Sequence, residues 1–583
     1  MKRLLSGNEA IARGAYEAGV RLAAAYPGTP STEILEALAE YPDVHSQWSP
    51  NEKVALEVAL GAAFAGARAL VAMKHVGLNV AADPLFTASY TGIKGGLVVV
   101  TADDPGMHSS QNEQDNRHYA RAAKVPMFEP ADSQEAKDFT LRAFEISEQF
   151  DTPVLVRTTT RVSHSKSVVT LNKARAPRKA SFERATDKYV MIPAHARRRH
   201  EVVEERMTRL RSLSDNCAEN RIEWGDRALG IIASGVAYQY ARDVCPKASF
   251  LKLGMTYPLP DRLIREFARG VERLVVVEEL DPYIEEHVKS LGLTVEGKSL
   301  LSITGELGPD SVATALGGNC QAASEPVADL PVRPPVMCPG CPHRGLFYVL
   351  KKLKLTVTGD IGCYTLSVLP PLTTMDSCVC MGASIGNAVG LERALGTHEG
   401  VVAVIGDSTF VHSGITGLVE IAYNASATTV IILDNGTTAM TGGQDHPATG
   451  RTLRGQTTHR LDLEALARAI GIEDTQVVDP YDLEATEAAV RRAIASPAPS
   501  VIIARRACVL LDRSARGQPL AVDPELCRRC GVCFLTGCPA IEGTVDPQDE
   551  RGRRQPRINP LLCTGCGVCS QVCQFGAIKA SDA

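Results

Sequence analysis

The sequence has little charge excess and no long hydrophobic run. Its 583 residues carry 62 basic and 67 acidic side chains, for a formal net charge of -5. This balance favours neither nucleic acid nor an anionic membrane as a partner. Nowhere do 18 consecutive apolar residues occur, and the opening segment MKRLLSGNEA lacks the apolar core of a signal peptide. We therefore expect a cytoplasmic protein without membrane spans.

Eight cysteines near the C-terminus have ferredoxin-like spacing. They form the runs Cys527-x2-Cys530-x2-Cys533-x4-Cys538 and Cys563-x2-Cys566-x2-Cys569-x3-Cys573. In bacterial two-cluster ferredoxins the fourth cysteine of each run ligates the other cluster. The pattern therefore predicts one 4Fe–4S cluster on Cys527, Cys530, Cys533 and Cys573, and a second on Cys563, Cys566, Cys569 and Cys538. Structural zinc is the alternative, although zinc sites usually draw two ligands from each knuckle.

Two departures from the usual pattern lie at the fourth cysteine of each run, and the one before Cys538 concerns the second cluster. Four residues rather than three separate Cys533 from Cys538, and Gln574 stands where a proline usually follows the last cysteine. We still predict two clusters, and whether the one that Cys538 ligates is a full 4Fe–4S cluster stays open. Such clusters need reduced thiolates, which favours the cytoplasm.

The rest of the chain alternates helical and strand patterns. Short apolar runs bounded by Gly, Pro and Asp are typical of strands covered on both faces by helices, which indicates α/β units with parallel sheets. We predict strands at residues 69–73, 96–101, 153–157, 229–233, 250–253, 274–277, 401–405 and 429–433. Residues 8–25 are predicted as one helix. The predicted divisions are α/β units at 1–170, 226–320 and 336–510, a charged connecting arm at 171–225, a proline-rich linker within 321–335 and a cluster domain at 519–583.

Two predicted strands in the third unit end in polar side chains. Residues 401–405 lead into Gly406-Asp407-Ser408, and residues 429–433 lead into Asp434-Asn435-Gly436. The carboxyl ends of parallel strands meet at one edge of an open sheet, where ligands bind. Carboxylate and amide oxygens suit Mg2+ that carries a diphosphate. The alternative is two ordinary strand ends.

These strand ends resemble the thiamine diphosphate motif, in which GDG is followed by NN. Ser408 replaces the third glycine and Asp434 replaces the first asparagine. The resemblance implies that Asp407, Asn435 and the backbone carbonyl of Thr437 ligate Mg2+. Other candidate cofactor-binding residues lie in nearby motifs: Cys341, His343, Gly362, Cys363, Gly382, Ser384, Gly406, Ser408 and Met440.

Two of these motifs also have other interpretations. Gly382 and Ser384 begin a helix whose N–H groups could face the diphosphate, but small residues there also permit tight helix–sheet packing. Cys338 and Cys341 could form a redox pair or half of a zinc site, although no second pair has matching spacing.

Thiamine chemistry also needs a carboxylate that hydrogen-bonds N1′ of the aminopyrimidine. Glu52 precedes the apolar helix predicted at residues 54–66, a pattern similar to that of pyrimidine-binding domains. Glu57 is the competing candidate. Because helix N-termini favour acidic residues, a surface role for Glu52 is the structural alternative.

The whole chain resembles the alpha subunits of the indolepyruvate ferredoxin oxidoreductase family, within the 2-oxoacid:ferredoxin oxidoreductase superfamily. Besides the ferredoxin tail, the matching segments are YPGTPS at 26–31, MKHVGLN at 73–79, GMHSSQNEQD at 106–115, CPGCPHR at 338–344 and TAMTGGQ at 438–444. The resemblance implies a multidomain α/β thiamine-diphosphate-binding fold of parallel-sheet units with a C-terminal domain for two 4Fe–4S clusters. In order, these are pyrimidine-binding, transketolase-C-like, diphosphate-binding and ferredoxin domains.

The implied reaction converts an arylpyruvate such as indolepyruvate or phenylpyruvate, coenzyme A and oxidised ferredoxin into arylacetyl-CoA, CO2 and reduced ferredoxin. The resemblance also implies a smaller beta subunit and an α2β2 assembly. A non-oxidative 2-oxoacid decarboxylase and an electron-transfer subunit with a vestigial thiamine site are the competing functions.

The contact to the substrate carboxylate is left open by the sequence. Related pyruvate enzymes place an arginine after a VTA-like strand end, whereas this chain has Asp103 and Asp104 there. The candidates for this contact are Thr29, His75, His108 and Arg117.

Overall fold

The computed structural model describes residues 1–317, 330–331, 334–511, 516–545 and 552–581. The chain forms two compact units, Met1–Asp329 and Leu330–Ala583. Most of the predicted linker within 321–335 lies outside the described residues. No helix in the described part of the chain combines the length and the apolar character needed to cross a membrane.

The first unit is built around two largely parallel sheets. Its strands are β1 Lys2–Ser6, β2 Leu22–Ala25, β3 His45–Trp48, β4 Ala69–Lys74, β5 Leu97–Asp103, β6 Met127–Phe128, β7 Val154–Thr159, β8 Lys166–Thr170, β9 Arg221–Glu223, β10 Asp226–Ser234, β11 Ala248–Leu253, β12 Met255–Tyr257 and β13 Arg273–Val277. Its helices are α1 Gly7–Glu17, α2 Thr32–Ala39, α3 Glu52–Phe64, α4 His75–Val80, α5 Ala82–Thr91, α6 Arg117–Ala123, α7 Ser133–Phe150, α8 Thr160–His164, α9 Thr186–Tyr189, α10 Pro193–Ser214, α11 Gly235–Val244, α12 Asp261–Arg269, α13 Tyr283–Ser290 and α14 Pro309–Leu316.

The larger sheet has the order β12-β6-β7-β5-β4-β2-β3. All its neighbours are parallel except β12, which pairs antiparallel with β6. Every residue of β4, β5 and β7 is buried, as expected for strands that helices cover on both faces. The carboxyl ends of β2, β4 and β5 therefore lie along one edge of the sheet and bring their following loops together.

The prediction of one helix over residues 8–25 is wrong. Helix α1 ends at Glu17, Gly19 adopts a left-handed conformation with φ 73°, and residues Leu22–Ala25 form β2. Alanine favours helices intrinsically. Here burial between the parallel neighbours β3 and β4 overrides that preference.

The second sheet of this unit has the order β13-β10-β11-β9. Three of its strands, β10, β11 and β13, match the predicted strands near residues 229, 250 and 274 to within a few residues. The segment predicted as a connecting arm contributes the 22-residue helix α10 and also the edge strand β9. Strand β12 lies in the predicted unit at 226–320 but pairs with β6 of the larger sheet. The larger sheet therefore contains strands from both predicted units, 1–170 and 226–320.

The second unit contains a six-stranded parallel sheet followed by the cysteine-rich tail. Its strands are β14 Thr356–Gly359, β15 Ser377–Cys378, β16 Val401–Gly406, β17 Thr429–Asp434, β18 Asp474–Val478, β19 Ser500–Arg505, β20 Leu520–Val522, β21 Ile541–Val545, β22 Arg554–Ile558 and β23 Ile578–Ala580. Its α-helices are α15 His343–Leu353, α16 Ala383–Leu395, α17 Asp407–Thr409, α18 Ile415–Tyr423, α19 Leu463–Ile470, α20 Leu483–Ile494 and α21 Val568–Gln571.

The six-stranded sheet has the order β15-β14-β16-β17-β19-β18, with all pairs parallel. Alternate residues of its central strands enter two separate cores. Val402 and Val404 pack on one face, whereas Ala403 and Ile405 pack on the other. The tail adds the antiparallel pairs β20-β23 and β21-β22.

Candidate functional site

Asp407 and Asn435 lie side by side at the carboxyl edge of the six-stranded sheet. The register of β16 and β17 aligns Gly406 with Leu433, so the residues that follow each strand are neighbours. The Oδ2 atom of Asp407 accepts hydrogen bonds from the N–H groups of Asn435 at 3.1 Å and Gly436 at 2.8 Å. Oδ1 of Asn435 accepts from the N–H of Thr437 at 3.1 Å. The three predicted metal ligands are therefore held in one hydrogen-bonded loop.

The donor set at this edge fits a divalent cation. Asp407, Asn435 and Thr437 are all buried. Among the described residues, no lysine or arginine lies within 4.0 Å of the Asp407 carboxylate, and its one ion-pair contact is Nε2 of His446 at 3.3 Å. A buried carboxylate that no lysine or arginine neutralises is a favourable place for a cation. The site can thus hold Mg2+ through hard oxygen ligands.

Asp434, which replaces the first asparagine of the motif, has a different role. Its Oδ2 accepts from Nε of Arg505 at 2.7 Å. Burial raises the pKa of Asp434, and the charge of Asp407 adds to the increase. The side chain is thus engaged by Arg505, which explains how an aspartate is accommodated at this position of the motif.

His343 and Tyr364 are buried side chains that pack beside Asn435. Burial lowers the pKa of His343 to about 4, so its imidazole is neutral at pH 7. Its Nε2 lies 3.5 Å from Nδ2 of Asn435, and its ring meets Tyr364 edge-on with centroids 5.9 Å apart. The Tyr364 hydroxyl accepts from the N–H of Gly406 at 2.9 Å. These buried side chains fix the end of β16.

The start of helix α16 is capped by a carboxylate from its own unit. The N–H groups of Gly382 and Ser384 donate to Asp360 at 3.0 and 3.1 Å. Gly382 has φ 89°, a left-handed conformation that favours glycine. A role for Gly382 and Ser384 in diphosphate binding stays a prediction, and it cannot use these two N–H groups while Asp360 accepts from them.

The remaining candidate residues of this unit surround the same loop. Ser408 Oγ accepts from the hydroxyl of Thr438 at 2.9 Å. Gly362 precedes a short helix that begins at Cys363 after β14. Met440 is half exposed at 50% in the loop that follows Thr437. Their contacts to a cofactor stay predictions.

Four cysteine thiols converge next to this site: Cys338, Cys341, Cys363 and Cys508. Burial raises the pKa of Cys341 to about 12, and the charges of Cys363 and Cys338 contribute. Burial also raises the pKa of Cys363, with contributions from Cys508 and Cys338. The N–H of Cys508 donates to the carbonyl of Asn435 at 3.0 Å, which places this set beside the metal ligands. Four thiolates of this kind can hold an iron–sulfur cluster.

This set was not predicted from the sequence, because no second pair of cysteines has a spacing that matches Cys338 and Cys341. The missing partners come singly. Cys363 follows β14 and Cys508 follows β19, so each lies at the carboxyl end of a strand in the same sheet. The sequence signal for this set is a cysteine after each of two parallel strands, together with the pair Cys338 and Cys341.

The tail brings together the two cysteine sets that the spacing predicts. One cavity is lined by Cys527, Cys530, Cys533 and Cys573. Burial raises the pKa of Cys569, and the charges of Cys566, Cys538 and Cys563 add to the increase. The longer gap before Cys538 therefore still lets it reach the second run.

The cysteine sets are not arranged as compact metal sites in this structure. Within the described residues, the one group of three potential ligands whose atoms all lie within 4.8 Å of one another is Asp115, His118 and Asp281. The choice between clusters and zinc therefore rests on the spacing of the cysteines along the chain.

The second unit thus contains three neighbouring cysteine sets: the four thiols beside Asn435 and the two sets of the tail. Arg344 lies among Cys338, Cys341, Cys538 and Cys566, whose charges oppose the lowering of its pKa by burial. Tyr481 also lies beside both Cys566 and Cys341, and its hydroxyl donates to the carbonyl of Gly340. Cys569 and Cys533 share one small core with Ile558 and Ile578. Cys530 is exposed. The three cysteine sets thus extend from the neighbourhood of Asn435 to the surface of the tail.

In the first unit, Glu52 occupies a buried position and Glu57 does not. Asn51 caps helix α3 by accepting from the N–H of Val54 at 2.9 Å, and Glu52 is the first helical residue. Its carboxylate lies against Gly77 of α4, where an added Cβ would be 2.6 Å from Oε1. Glu57 is 43% exposed and pairs with Lys53. Its burial makes Glu52 a better candidate than Glu57 for the carboxylate that contacts N1′ of the aminopyrimidine.

The structure separates the candidates for the substrate carboxylate. Thr29 is half-buried after β2, and His75 is fully buried at the start of α4. His108 is 44% exposed and its Nε2 lies 3.2 Å from Glu306. Arg117 is buried, and each nitrogen of its guanidinium donates within the protein, to Asp115, Glu278 and two backbone carbonyls. Arg117 therefore has no nitrogen without a protein partner and is a structural residue.

The Arg117 network continues to a second buried arginine. Arg157 donates to Asp103 at 2.6 Å and to Glu129 at 2.9 Å. Burial raises the pKa of Asp103 to about 6 and that of Glu279 to about 7. The aspartate at the position of the absent strand-end arginine is therefore paired with Arg157 inside the protein.

Comparison with known proteins assigns domains to both units. Residues 13–221 match the thiamine-diphosphate-binding model of pyruvate flavodoxin/ferredoxin oxidoreductases. Residues 360–504 match the C-terminal thiamine-pyrophosphate-binding domain of thiamine pyrophosphate enzymes, and residues 556–579 match a 4Fe–4S binding domain. The chain therefore carries thiamine-diphosphate-binding and iron–sulfur domains.

Several relatives are similar over the whole chain. Indolepyruvate oxidoreductase subunit IorA of Methanothermobacter thermautotrophicus is 42% identical and aligns over 99% of this chain and 97% of its own length. The IorA subunit of Pyrococcus horikoshii has the same identity and coverage. The 2-oxoglutarate synthase subunit KorA of Methanothermobacter marburgensis is 27% identical over 54% of this chain and 98% of its own length.

Proposed function

This chain belongs to the family of the indolepyruvate oxidoreductase subunit IorA, and on that premise we propose that it oxidatively decarboxylates arylpyruvates. It is a 2-oxoacid oxidoreductase with thiamine-diphosphate-binding and 4Fe–4S domains. In the proposed reaction indolepyruvate or phenylpyruvate reacts with coenzyme A to give arylacetyl-CoA and CO2. The electrons leave through iron–sulfur clusters to ferredoxin. A smaller beta subunit completes the enzyme, as an α2β2 assembly in the cytoplasm.

One observation carries the proposal. The hard-oxygen site at Asp407 and Asn435 adjoins a series of cysteine sets that reaches the surface of the tail. A non-oxidative decarboxylase needs no such electron outlet. An electron-transfer subunit with a vestigial thiamine site would not need a buried carboxylate that lacks a lysine or arginine partner.

The residues of the chain have separate roles in this function. Asp407, Asn435 and the carbonyl of Thr437 would hold Mg2+ and, through it, the cofactor diphosphate. Glu52 is the carboxylate that would hydrogen-bond N1′ of the aminopyrimidine. When bound, thiamine diphosphate supplies carbanion stabilisation for the decarboxylation. The predicted cluster ligands are Cys527, Cys530, Cys533 and Cys573 for one cluster and Cys563, Cys566, Cys569 and Cys538 for the other.

The test is a substrate panel on the native complex. The chain is purified without oxygen together with its beta subunit and assayed for CoA-dependent viologen reduction with indolepyruvate, phenylpyruvate and pyruvate. We expect the two arylpyruvates to reduce the dye. Release of aldehyde without dye reduction would identify a decarboxylase. Dye-to-dye electron transfer without turnover of any 2-oxoacid would identify an electron-transfer subunit.

A further inference from the structure

Lys74 is a buried cation with one hydrogen-bond partner among the described residues. It is 9% exposed at the end of β4, and its Nζ donates to the carbonyl of Ser109 at 2.6 Å. A lysine ammonium has three N–H donors. Burial lowers its pKa to about 8, and the charge of Asp104 partly opposes this. Most of the population is thus protonated at pH 7, with donors available for an anion.

Asp104 is not the ion-pair partner of this ammonium. Its Oδ2 accepts from the N–H of Ser109 at 2.8 Å and from Oγ of Ser110 at 2.6 Å. Its Oδ1 accepts from the hydroxyl of Thr160 at 2.7 Å. No ion pair within 4.0 Å joins Lys74 to any acidic group of residues 1–317. The carboxylate of Asp104 instead fixes the loop that carries Ser109.

The next residue, His75, is a second buried polar group with unused hydrogen-bonding capacity. Its side chain has no exposure, and no described group makes a hydrogen bond of good geometry to either ring nitrogen, while Asn112 lies close enough to oppose the lowering of its pKa. Burial lowers its pKa to about 4, with a further contribution from the charge of Lys74. The neutral ring therefore offers one N–H donor and one nitrogen acceptor.

Both residues lie at the edge of the sheet where the other candidate residues converge. Lys74 packs against Gly28, where an added Cβ would lie 3.1 Å from the lysine Cβ. The hydroxyl of Ser109 donates to the carbonyl of Thr29 at 3.4 Å. Helix α4, which begins at His75, is also the helix against which the Glu52 carboxylate lies. The unused ammonium and the proposed pyrimidine contact therefore flank one short helix.

We propose that the Lys74 ammonium binds the carboxylate of the 2-oxoacid substrate, with the His75 ring beside the adjoining carbonyl. This inference rests on the proposed function and assigns a contact within the same site. It explains how the chain manages with Asp103 and Asp104 where related pyruvate enzymes have an arginine. A single ammonium on a flexible stem imposes less geometry on the substrate than a planar guanidinium, which suits a bulky aromatic 2-oxoacid.

The first experiment compares the Lys74→Met and Lys74→Arg variants in the complete complex. We expect Lys74→Met to raise the KM for phenylpyruvate about 10- to 100-fold, because a charge-assisted hydrogen bond is lost. Inhibition by 3-phenylpropanoate should weaken by a similar factor, whereas inhibition by the neutral 3-phenylpropanol should not change. Lys53→Met, on the exposed side of α3, is the matched control and should leave both constants unaltered.

The second experiment is the pH profile of kcat/KM for phenylpyruvate. In the unsubstituted enzyme, kcat/KM should fall as pH rises through about 8, because the ammonium loses its proton. The facing groups do not titrate in this window, since the pKa of Asp104 is lowered by its hydrogen bonds and that of His75 is about 4. Lys74→Arg should abolish this fall because a guanidinium stays charged.

The outcomes separate the two proposals. If the unsubstituted complex oxidises arylpyruvates but Lys74→Met leaves KM and the anion inhibition unchanged, the assignment of Lys74 is wrong and the proposed function stands. A raised KM for coenzyme A alone would assign the ammonium to that substrate and also overturn the inference. If the unsubstituted complex turns over no 2-oxoacid, the proposed function itself fails. Should Lys74→Met not assemble, the pH profile of Lys74→Arg decides.

Discussion

Arg344 donates a hydrogen bond of 3.2 Å to the backbone carbonyl of Thr536 and thereby ties the CPGC segment to the tail. The same nitrogen also donates to the carbonyl of Gly537, and the other two nitrogens donate to the carbonyls of Met337 and Cys338. One buried guanidinium thus joins the segment next to the metal ligands to the loop that carries Cys538. Arg344 is therefore one of the connections between two cysteine sets.

Substitution of Arg344 by methionine should loosen the tail. Each carbonyl left without a donor costs roughly 1–3 kcal/mol. We expect iron to be lost to a chelator at least about tenfold faster, as measured by the absorbance of the chelate under anaerobic conditions. Lys352→Met, at an exposed position of the same helix, is the control. Equal rates for the two variants would contradict the role of Arg344.

Glu52→Gln should abolish turnover without removing the cofactor. An amide cannot hold the proton at N1′, and loss of general acid–base catalysis typically costs about 10²- to 10⁴-fold in rate. CoA-dependent viologen reduction with indolepyruvate measures the loss, and thiamine fluorescence measures bound cofactor. The matched variant Glu57→Gln lies on the exposed face of the same helix and should keep full activity. Comparable activity in both variants would shift the role away from Glu52.

Asp407→Ala should prevent binding of Mg2+ and thiamine diphosphate. The change removes a metal ligand, so its effect should exceed the about 10- to 100-fold loss seen for partners of metal ligands. Equilibrium dialysis against thiamine diphosphate with and without Mg2+ measures the affinity. Glu473→Gln, on the surface of the same domain, should bind normally. Undiminished affinity in Asp407→Ala would place the metal elsewhere.

The iron content tests whether the four thiols beside Asn435 form a cluster site. Three 4Fe–4S clusters give about twelve iron atoms per chain, and the two tail clusters alone give about eight. We expect the higher value, and a fall by about four in the double variant Cys338→Ser, Cys341→Ser. Cys245→Ser, a cysteine of the first unit, should leave the content unchanged. About eight atoms in the unsubstituted chain would exclude the additional cluster.

Glu279 should make the first unit less stable as pH rises. Burial raises its pKa from 4.5 to about 7, so folding favours the protonated form. The associated stability is present below pH 4.5 and is lost as pH rises through about 7. A shift of that size corresponds to about 3 kcal/mol.

The test of this pH dependence is the Glu279→Gln variant, which keeps an acceptor for the N–H of Leu307. Urea unfolding between pH 5 and pH 8 should show the variant gaining stability relative to the unsubstituted chain as pH rises. Glu272→Gln, at an exposed position, should follow the unsubstituted chain. Parallel curves for Glu279→Gln and the unsubstituted chain would show that Glu279 is ionised throughout.

The parts of the site that depend on local order were readable from the sequence. A strand end followed by Asp407, and another followed by Asn435, must meet at one edge if the sheet is parallel, and they do. The pairing of Cys538 with the second cysteine run follows in the same way from a spacing rule.

The features that were not predicted from the sequence depend on contacts between segments that are distant along the chain. Nothing local distinguishes the alanines of β2 from a helix, since the sheet neighbours decide their conformation. Arg117 looked available for substrate because its partners Glu278 and Glu279 lie more than a hundred residues away. Lys74 was not predicted as a substrate contact, because only the structure shows that its ammonium has one hydrogen-bond partner among the described residues.

The antiparallel strand β12 has a consequence for shortened chains. A fragment that ends at residue 225 would retain β6 but lose the strand that pairs with its outer side. Exposed backbone donors and acceptors along a flat strand recruit other chains. Expression of the N-terminal portion alone should therefore yield aggregates, and solubility should return once the polypeptide includes β12 and the rest of the second sheet with its covering helices, through Leu316.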